Sequence, residues 1–225
     1  MQKNIFLILF LLYLFFGVKS QDNIRLIIRS DDIGSTHAAN IACIKTFTEG
    51  ITQSVELMVP CPWFEEAVTM LNNHPDLDVG IHLVLTSEWE NIKWRPLTHS
   101  PGLTDNDGYF YPMIWPNDNF GEDKALKPAD WTPAEIENEF RAQIELAIKK
   151  VPHISHLSCH MGCSSWDERV TKIFDKLAKE YNLDINPSAH NVKRFEWNRE
   201  GSEETKIQNF ISALNNLTAG TYMFV

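Results

Sequence analysis

The chain has 225 residues, 44% hydrophobic and 22% charged, which suits one globular domain with a sizeable core. Its 30 acidic residues outnumber 20 basic ones, giving a net charge of −10 at pH 7. That balance argues against a nucleic-acid partner, which needs stripes of Lys and Arg. Four cysteines are too few to staple a chain of this length into a disulfide scaffold.

Residues 1–20 are expected to lie outside the fold. Lys3 precedes an apolar run over 5–16, and Gly17-Val18-Lys19-Ser20 places small residues before Gln21. This is the pattern of a secretory signal peptide cleaved after Ser20. The run is short for a membrane anchor, which takes roughly 20 apolar residues. The reading predicts an exported protein, periplasmic or secreted, with a single domain over 21–225 and no stable membrane span once the leader is removed. Export would permit a disulfide among Cys43, Cys61, Cys159 and Cys163 without saying which pair forms.

Strands then alternate with helices. Residues 24–28 are an Ile-rich apolar run broken only by Arg25, as expected for a strand buried on both faces. Residues 36–49 carry Ala38, Ile41, Ile44 and Phe47 at helical spacing, with Gly50 to end the helix. Strands are predicted at 51–59 and 78–85, with a helix at 62–72 between them. The pattern breaks over 86–131, where Pro, Gly, Asp and Asn mix with many aromatics; a long stretch without regular structure is often functional. Thr132-Pro133-Ala134-Glu135 is a capping box with proline at the first helical position, and the helix runs to Pro152. A strand at 154–159 follows, and Ser165-Trp166-Asp167-Glu168 reads as a second capping box. A short strand at 183–185, a helix at 203–217 and a strand at 221–225 complete the series. About six strands in this alternation imply an α/β fold with a parallel sheet and right-handed crossovers.

The chemistry-bearing residues share one place in that pattern. Asp31-Asp32 follow the first strand, His82 lies in the third, and His156 and His160 bracket the end of the fourth. Parallel α/β sheets bind ligands at the carboxyl ends of their strands. Adjacent carboxylates repel each other unless a cation or proton sits nearby. Because successive strand residues point to opposite sides, one could hold a metal while the other takes a proton from a different angle. Gly34 lets the backbone turn there. Histidines at i and i+4 share a face, a spacing that suits a divalent ion, and an Asp/His/His set leaves coordination positions open for water and substrate. A rival metal site would use Cys159 and Cys163 with the histidines, although closed Cys/His zinc sites usually show two Cys pairs.

The motifs also carry a resemblance. Ser30-Asp31-Asp32-Ile33-Gly34, Asn40, Gly50-Ile51-Thr52-Gln53-Ser54 and Leu57-Met58-Val59 resemble the opening of the YdjC-like carbohydrate deacetylases. Gly80-Ile81-His82-Leu83-Val84-Leu85-Thr86 resembles their second motif, and His156-Leu157-Ser158-Cys159-His160 their third, usually written H-x-D-S-H. The match spans most of 24–186. The resemblance implies a distorted β/α barrel of the polysaccharide-deacetylase type. It also implies hydrolysis of N-acetyl groups on amino sugars or chito-oligosaccharides with one divalent metal (Mg, Zn or Co). Carried over by position, Asp32, His82 and His160 become metal ligands and Asp31 the catalytic base. His156 becomes a supporting or substrate-side residue that could protonate the leaving amine. Ser158 departs from the family's aspartate, and Gly162 and Ser164 replace histidines often found after His160. The family pattern continues past its last strand into a His-Pro segment, so ending at Tyr222-Met223-Phe224-Val225 leads us to expect an incomplete barrel.

Trp89, Trp94, Tyr109, Phe110, Tyr111, Trp115 and Trp131 fill the irregular stretch, where some could stack on sugar rings and others close a local core. Two further functions stay open: a non-catalytic glycan-binding protein, and a metal hydrolase acting on another amide or ester. A homodimer is compatible with all three.

Overall fold

The computed structural model describes residues 23–225; the expected leader over 1–20 lies outside the described residues. Among those described, no helix is long and apolar enough to cross a membrane. Among the described residues, six strands form one sheet: β1 (Ile24–Ile33), β2 (Ser54–Leu57), β3 (Asp78–Leu83), β4 (Ile154–Cys159), β5 (Lys193–Arg194) and β6 (Gly220–Phe224). Their order is β4-β3-β2-β1-β6-β5, and every pairing is parallel. The sheet curls into an unclosed barrel with β4 and β5 at its edges. The helices are α1 (His37–Thr48), α2 (Phe64–Asn72), α3 (Pro133–Lys150), α4 (Glu168–Glu180) and α5 (Glu203–Asn215).

Period-two alternation sorts the central strands. Val55 and Leu57 of β2, Val79, Ile81 and Leu83 of β3, and Leu157 of β4 join the apolar core with α2, α3 and α4. The residues between them, Glu56, Gly80, His82, His156 and Ser158, point to the barrel interior, because neighbouring strand residues face opposite ways. The interior is therefore polar where the core behind it is dry.

The irregular stretch holds only two 3-10 turns, Pro101–Leu103 and Glu122–Lys124. It is nonetheless packed, with Trp94, Leu103, Phe110, Ile114 and Leu126 buried. Buried Glu139 of α3 ties it down by accepting the Leu97 and Thr98 amides at 3.1 and 3.0 Å. The Thr132–Glu135 capping box opens α3 as expected.

Two expectations are corrected. The helix after β4 is capped by Asp167, which accepts the Arg169 amide, rather than by Ser165. The predicted strand at 183–185 does not form. Leu183 accepts one backbone bond from Leu157, and then Asn186 caps a 3-10 turn that begins at Pro187. Proline has no N–H to extend a ladder, so the fifth strand is Lys193–Arg194, beside β6.

The end of β1 is irregular. Pairing with β2 shifts between Ser30 and Ile33, and Asp32 sits at φ 70°. Gly34 follows at φ +103°, and a Cβ there would lie 2.7 Å from the Met58 carbonyl oxygen. Its N–H donates to buried Asn40 Oδ1 at 2.6 Å. Gly34→Ala is expected to destabilise the protein by about 1–3 kcal/mol, read from denaturant unfolding; an unchanged midpoint would show that this turn is not under steric control.

Candidate metal centre

The strand ends deliver their side chains to one point. Asp32, His82 and His160 each offer a ligand atom, and those atoms lie within 4.8 Å of one another. His82 Nε2 is 3.5 Å from Asp32 Oδ1, and His160 Nδ1 is 3.1 Å from the same oxygen. The β1 irregularity lets both neighbouring carboxylates approach: Asp31 Oδ2 is 3.9 Å from His82 Nε2. In a regular strand they would face opposite sides.

The electrostatics suit a cation. Burial is the largest influence on His82 and lowers its pKa to about 4, despite the pull of Glu56, so its imidazole is neutral. Burial alone would also lower His160, but hydrogen bonds to Asp32 and Glu88 outweigh it and raise His160 to about 9. Without a metal, His160 is an imidazolium donating to Asp32 Oδ1 and, at 3.0 Å, to Glu88 Oε1. Burial pushes Asp32 upward, yet the bond and charge of His160 hold it below the usual carboxylate value. Asp31 shifts the other way. Burial raises it, Arg29 opposes this, and the charge of Asp32 adds to the rise. Arg29 grips Asp31 with Nε at 2.9 Å and a terminal nitrogen at 3.3 Å. An ionised ligand beside a carboxylate with raised pKa is the division expected of a ligand and a base.

The cysteines do not join the cluster. Cys163 is buried, donates to the Leu83 carbonyl oxygen at 3.2 Å, and has its pKa raised by burial. A thiol held protonated is a poor metal ligand.

The sequence model of the family described as YdjC-like protein matches residues 25–224. The chain belongs to the YdjC-like family. It is 32% identical over 162 residues to a carbohydrate deacetylase of Brevibacillus brevis, covering 72% of this chain and 58% of that one. A carbohydrate deacetylase 2 of Listeria innocua is 32% identical over 181 residues, 76% of this chain and 63% of that one. The YdjC-like chain thus spans about 58% of the length of the first of these curated relatives. A solved structure from Enterococcus faecalis V583, described as a candidate cellobiose-phosphate cleavage protein, shares the fold. Its TM-score is 0.64 at 23% identity, over 89% of this chain and 80% of that one.

Sequence reasoning missed three charged residues of this YdjC-like site: Arg29, Glu56 and Glu88. Glu56, on β2, is 0% exposed. Its Oε1 takes His156 Nε2 at 2.7 Å and lies 3.5 Å from Arg29 Nε, while its Oε2 takes the Ser158 hydroxyl. An isolated charged residue in a doubly buried strand was the available signal. His156 lies one layer below the trio, with Nδ1 bonded to Ser155 Oγ at 2.7 Å, so both ring nitrogens are engaged. Burial opposes its protonation, but Glu56 outweighs burial and raises its pKa. A cavity of about 760 Å³ lies in the seam beside β4 and reaches Arg29, His156, Ser158 and Met223, but not the trio.

Of the loop aromatics, Trp94 and Phe110 are buried and close the local core, whereas Trp89 and Trp115 are exposed. Trp115 lies near Gly162, two residues after His160.

Proposed function

We propose that this chain is a metal-dependent hydrolase that removes N-acetyl groups from amino sugars or chito-oligosaccharides. The observation that carries the reading is the meeting of Asp31 with Asp32, His82 and His160 at the carboxyl ends of the strands. Curated relatives called carbohydrate deacetylases support the substrate class. The donor set fits a divalent ion: one carboxylate oxygen and two imidazole nitrogens, one imidazole already neutral, with coordination positions left over. Such an ion, when bound, supplies Lewis-acid activation of water and of the acetamide carbonyl.

The side chains do the rest. Asp32, His82 and His160 hold the ion. Asp31 is oriented by Arg29 and accepts the proton of the attacking water. For His156 we favour a supporting role, because donation to the leaving amine would require breaking its bond to Glu56 or Ser155. Trp115 offers an exposed aromatic face near Gly162, two residues after His160, on which a sugar ring can stack. In this reading the apolar leader sends the protein to the periplasm or outside the cell, where glycans are met.

Acetate release from N-acetylglucosamine oligomers, assayed with zinc, magnesium or cobalt, tests the proposal. Metal-stimulated release that ceases with a chelator is the expected result. Glycan binding without acetate release would replace it with a glycan-binding function, and release only from other amides or esters would overturn the substrate class.

A further inference from the structure

We propose that Glu56 is the positioning residue that sets the ring orientation and tautomer of His82, acting through the hydroxyl of Ser158. The inference rests on the reading of Asp32, His82 and His160 as a metal site and adds a residue that this reading does not contain.

The chain of donors has one consistent direction. A carboxylate only accepts hydrogen bonds, so Ser158 Oγ must donate its single proton to Glu56 Oε2. The hydroxyl then has only lone pairs left for His82, whose Nδ1 lies 2.6 Å away. His82 Nδ1 therefore carries the ring proton, and Nε2, the nitrogen facing Asp32 Oδ1 at 3.5 Å, keeps its lone pair for the metal. A serine hydroxyl alone can donate or accept. Without the carboxylate behind it, Ser158 could instead donate to Nδ1, moving the proton to Nε2 and blocking ligation. Tautomer control of this kind supports many histidine–metal sites.

The fold is shaped to deliver that carboxylate. Glu56, Gly80 and His156 stand in register on β2, β3 and β4. A Cβ at Gly80 would collide with Glu56 Oε2 and with His156 Nε2. The missing side chain on the middle strand is what lets Glu56 reach across to β4. Arg29 and His156 at Oε1 hold the carboxylate in place and leave Oε2 to Ser158. The position that is aspartate in the family's third motif is a serine here, and the negative charge reaches His82 from β2 instead.

Two readouts test this, neither of which needs substrate. The first is the His82 tautomer in metal-free protein, from the nitrogen chemical shifts of labelled histidine. The second is affinity for zinc alone, by calorimetry. Wild type is expected to show the Nδ1–H form. Glu56→Gln and Ser158→Ala are each expected to populate the Nε2–H form and to weaken zinc binding by about 10–100-fold. Ser158→Ala keeps Glu56 with Arg29 and His156, so it answers the question even if Glu56→Gln does not fold. The double variant Glu56→Ser with Ser158→Asp, which brings a carboxylate directly to His82, is expected to restore both readouts. A purely structural Glu56 would not give that rescue. A Ser158→Ala protein with the wild-type tautomer and wild-type affinity would overturn the inference. Failure of wild type to bind zinc would count against the metal-site reading alone, because the tautomer comparison would still decide the part played by Glu56.

Discussion

Exchanging Asp31 for asparagine is expected to lower turnover by about 10²–10⁴-fold while metal affinity stays close to that of wild type. Asparagine keeps the shape of the side chain and can still accept from Arg29, but it cannot take a proton from water at neutral pH. The three candidate ligands are unchanged by the substitution, because Asp31 is not a member of the Asp32, His82 and His160 group. Acetate release at saturating metal, set beside a calorimetric metal titration, separates the two effects. A variant that lost metal and turnover together would make Asp31 a ligand, and one that kept near-normal turnover would remove it from the chemistry. In the metal-free protein burial raises the pKa of Asp31; a divalent ion bound beside it would favour the ionised carboxylate, so adding metal is expected to lower the Asp31 titration followed by carboxyl chemical shifts.

Why the trio could be read from sequence while its support could not follows from how each is encoded. Asp32, His82 and His160 sit at strand ends, and strand ends are visible as the point where apolar runs stop. Position in a parallel sheet then gathers them, and motif resemblance supplies the roles proposed for them. Glu56 has no such marker. It lies in the middle of Ser54-Val55-Glu56-Leu57, where a lone carboxylate in a buried strand signals a partner without saying which, and its partners Ser158 and His156 are 102 and 100 residues away. Only the register of three strands shows that Gly80 clears a path between them. The register shift between Ser30 and Ile33 was hidden for a related reason, although Gly34 marked the turn after it. A bulge depends on pairing between two strands, and alternation within one strand cannot report it. At 183–185 the local pattern was apolar enough for a strand, but pairing ended where Asn186 and Pro187 turned the chain away.

Metal affinity is expected to rise steeply with pH because the ion must displace the proton that His160 holds. With His160 raised to about 9, apparent affinity should climb by about tenfold per pH unit below that value. His82, lowered to about 4, adds nothing across this range because it is already deprotonated. Stability of the metal-free protein runs the opposite way. A histidine raised in the folded state contributes stability fully present below its unfolded value of 6.5 and lost as pH rises through about 9. The gap in melting temperature between metal-saturated and metal-free protein should therefore widen from neutral to mildly alkaline pH. Calorimetric titrations across that range, paired with thermal unfolding, check both slopes, and an affinity that stayed flat would show that His160 gives up no proton to the ion. Glu88 supplies the control. It is one of the two acceptors that keep His160 protonated, and its Oε2 is buried without a partner. Glu88→Gln loosens the hold on the proton, so the rise in affinity should level off at a lower pH than in wild type.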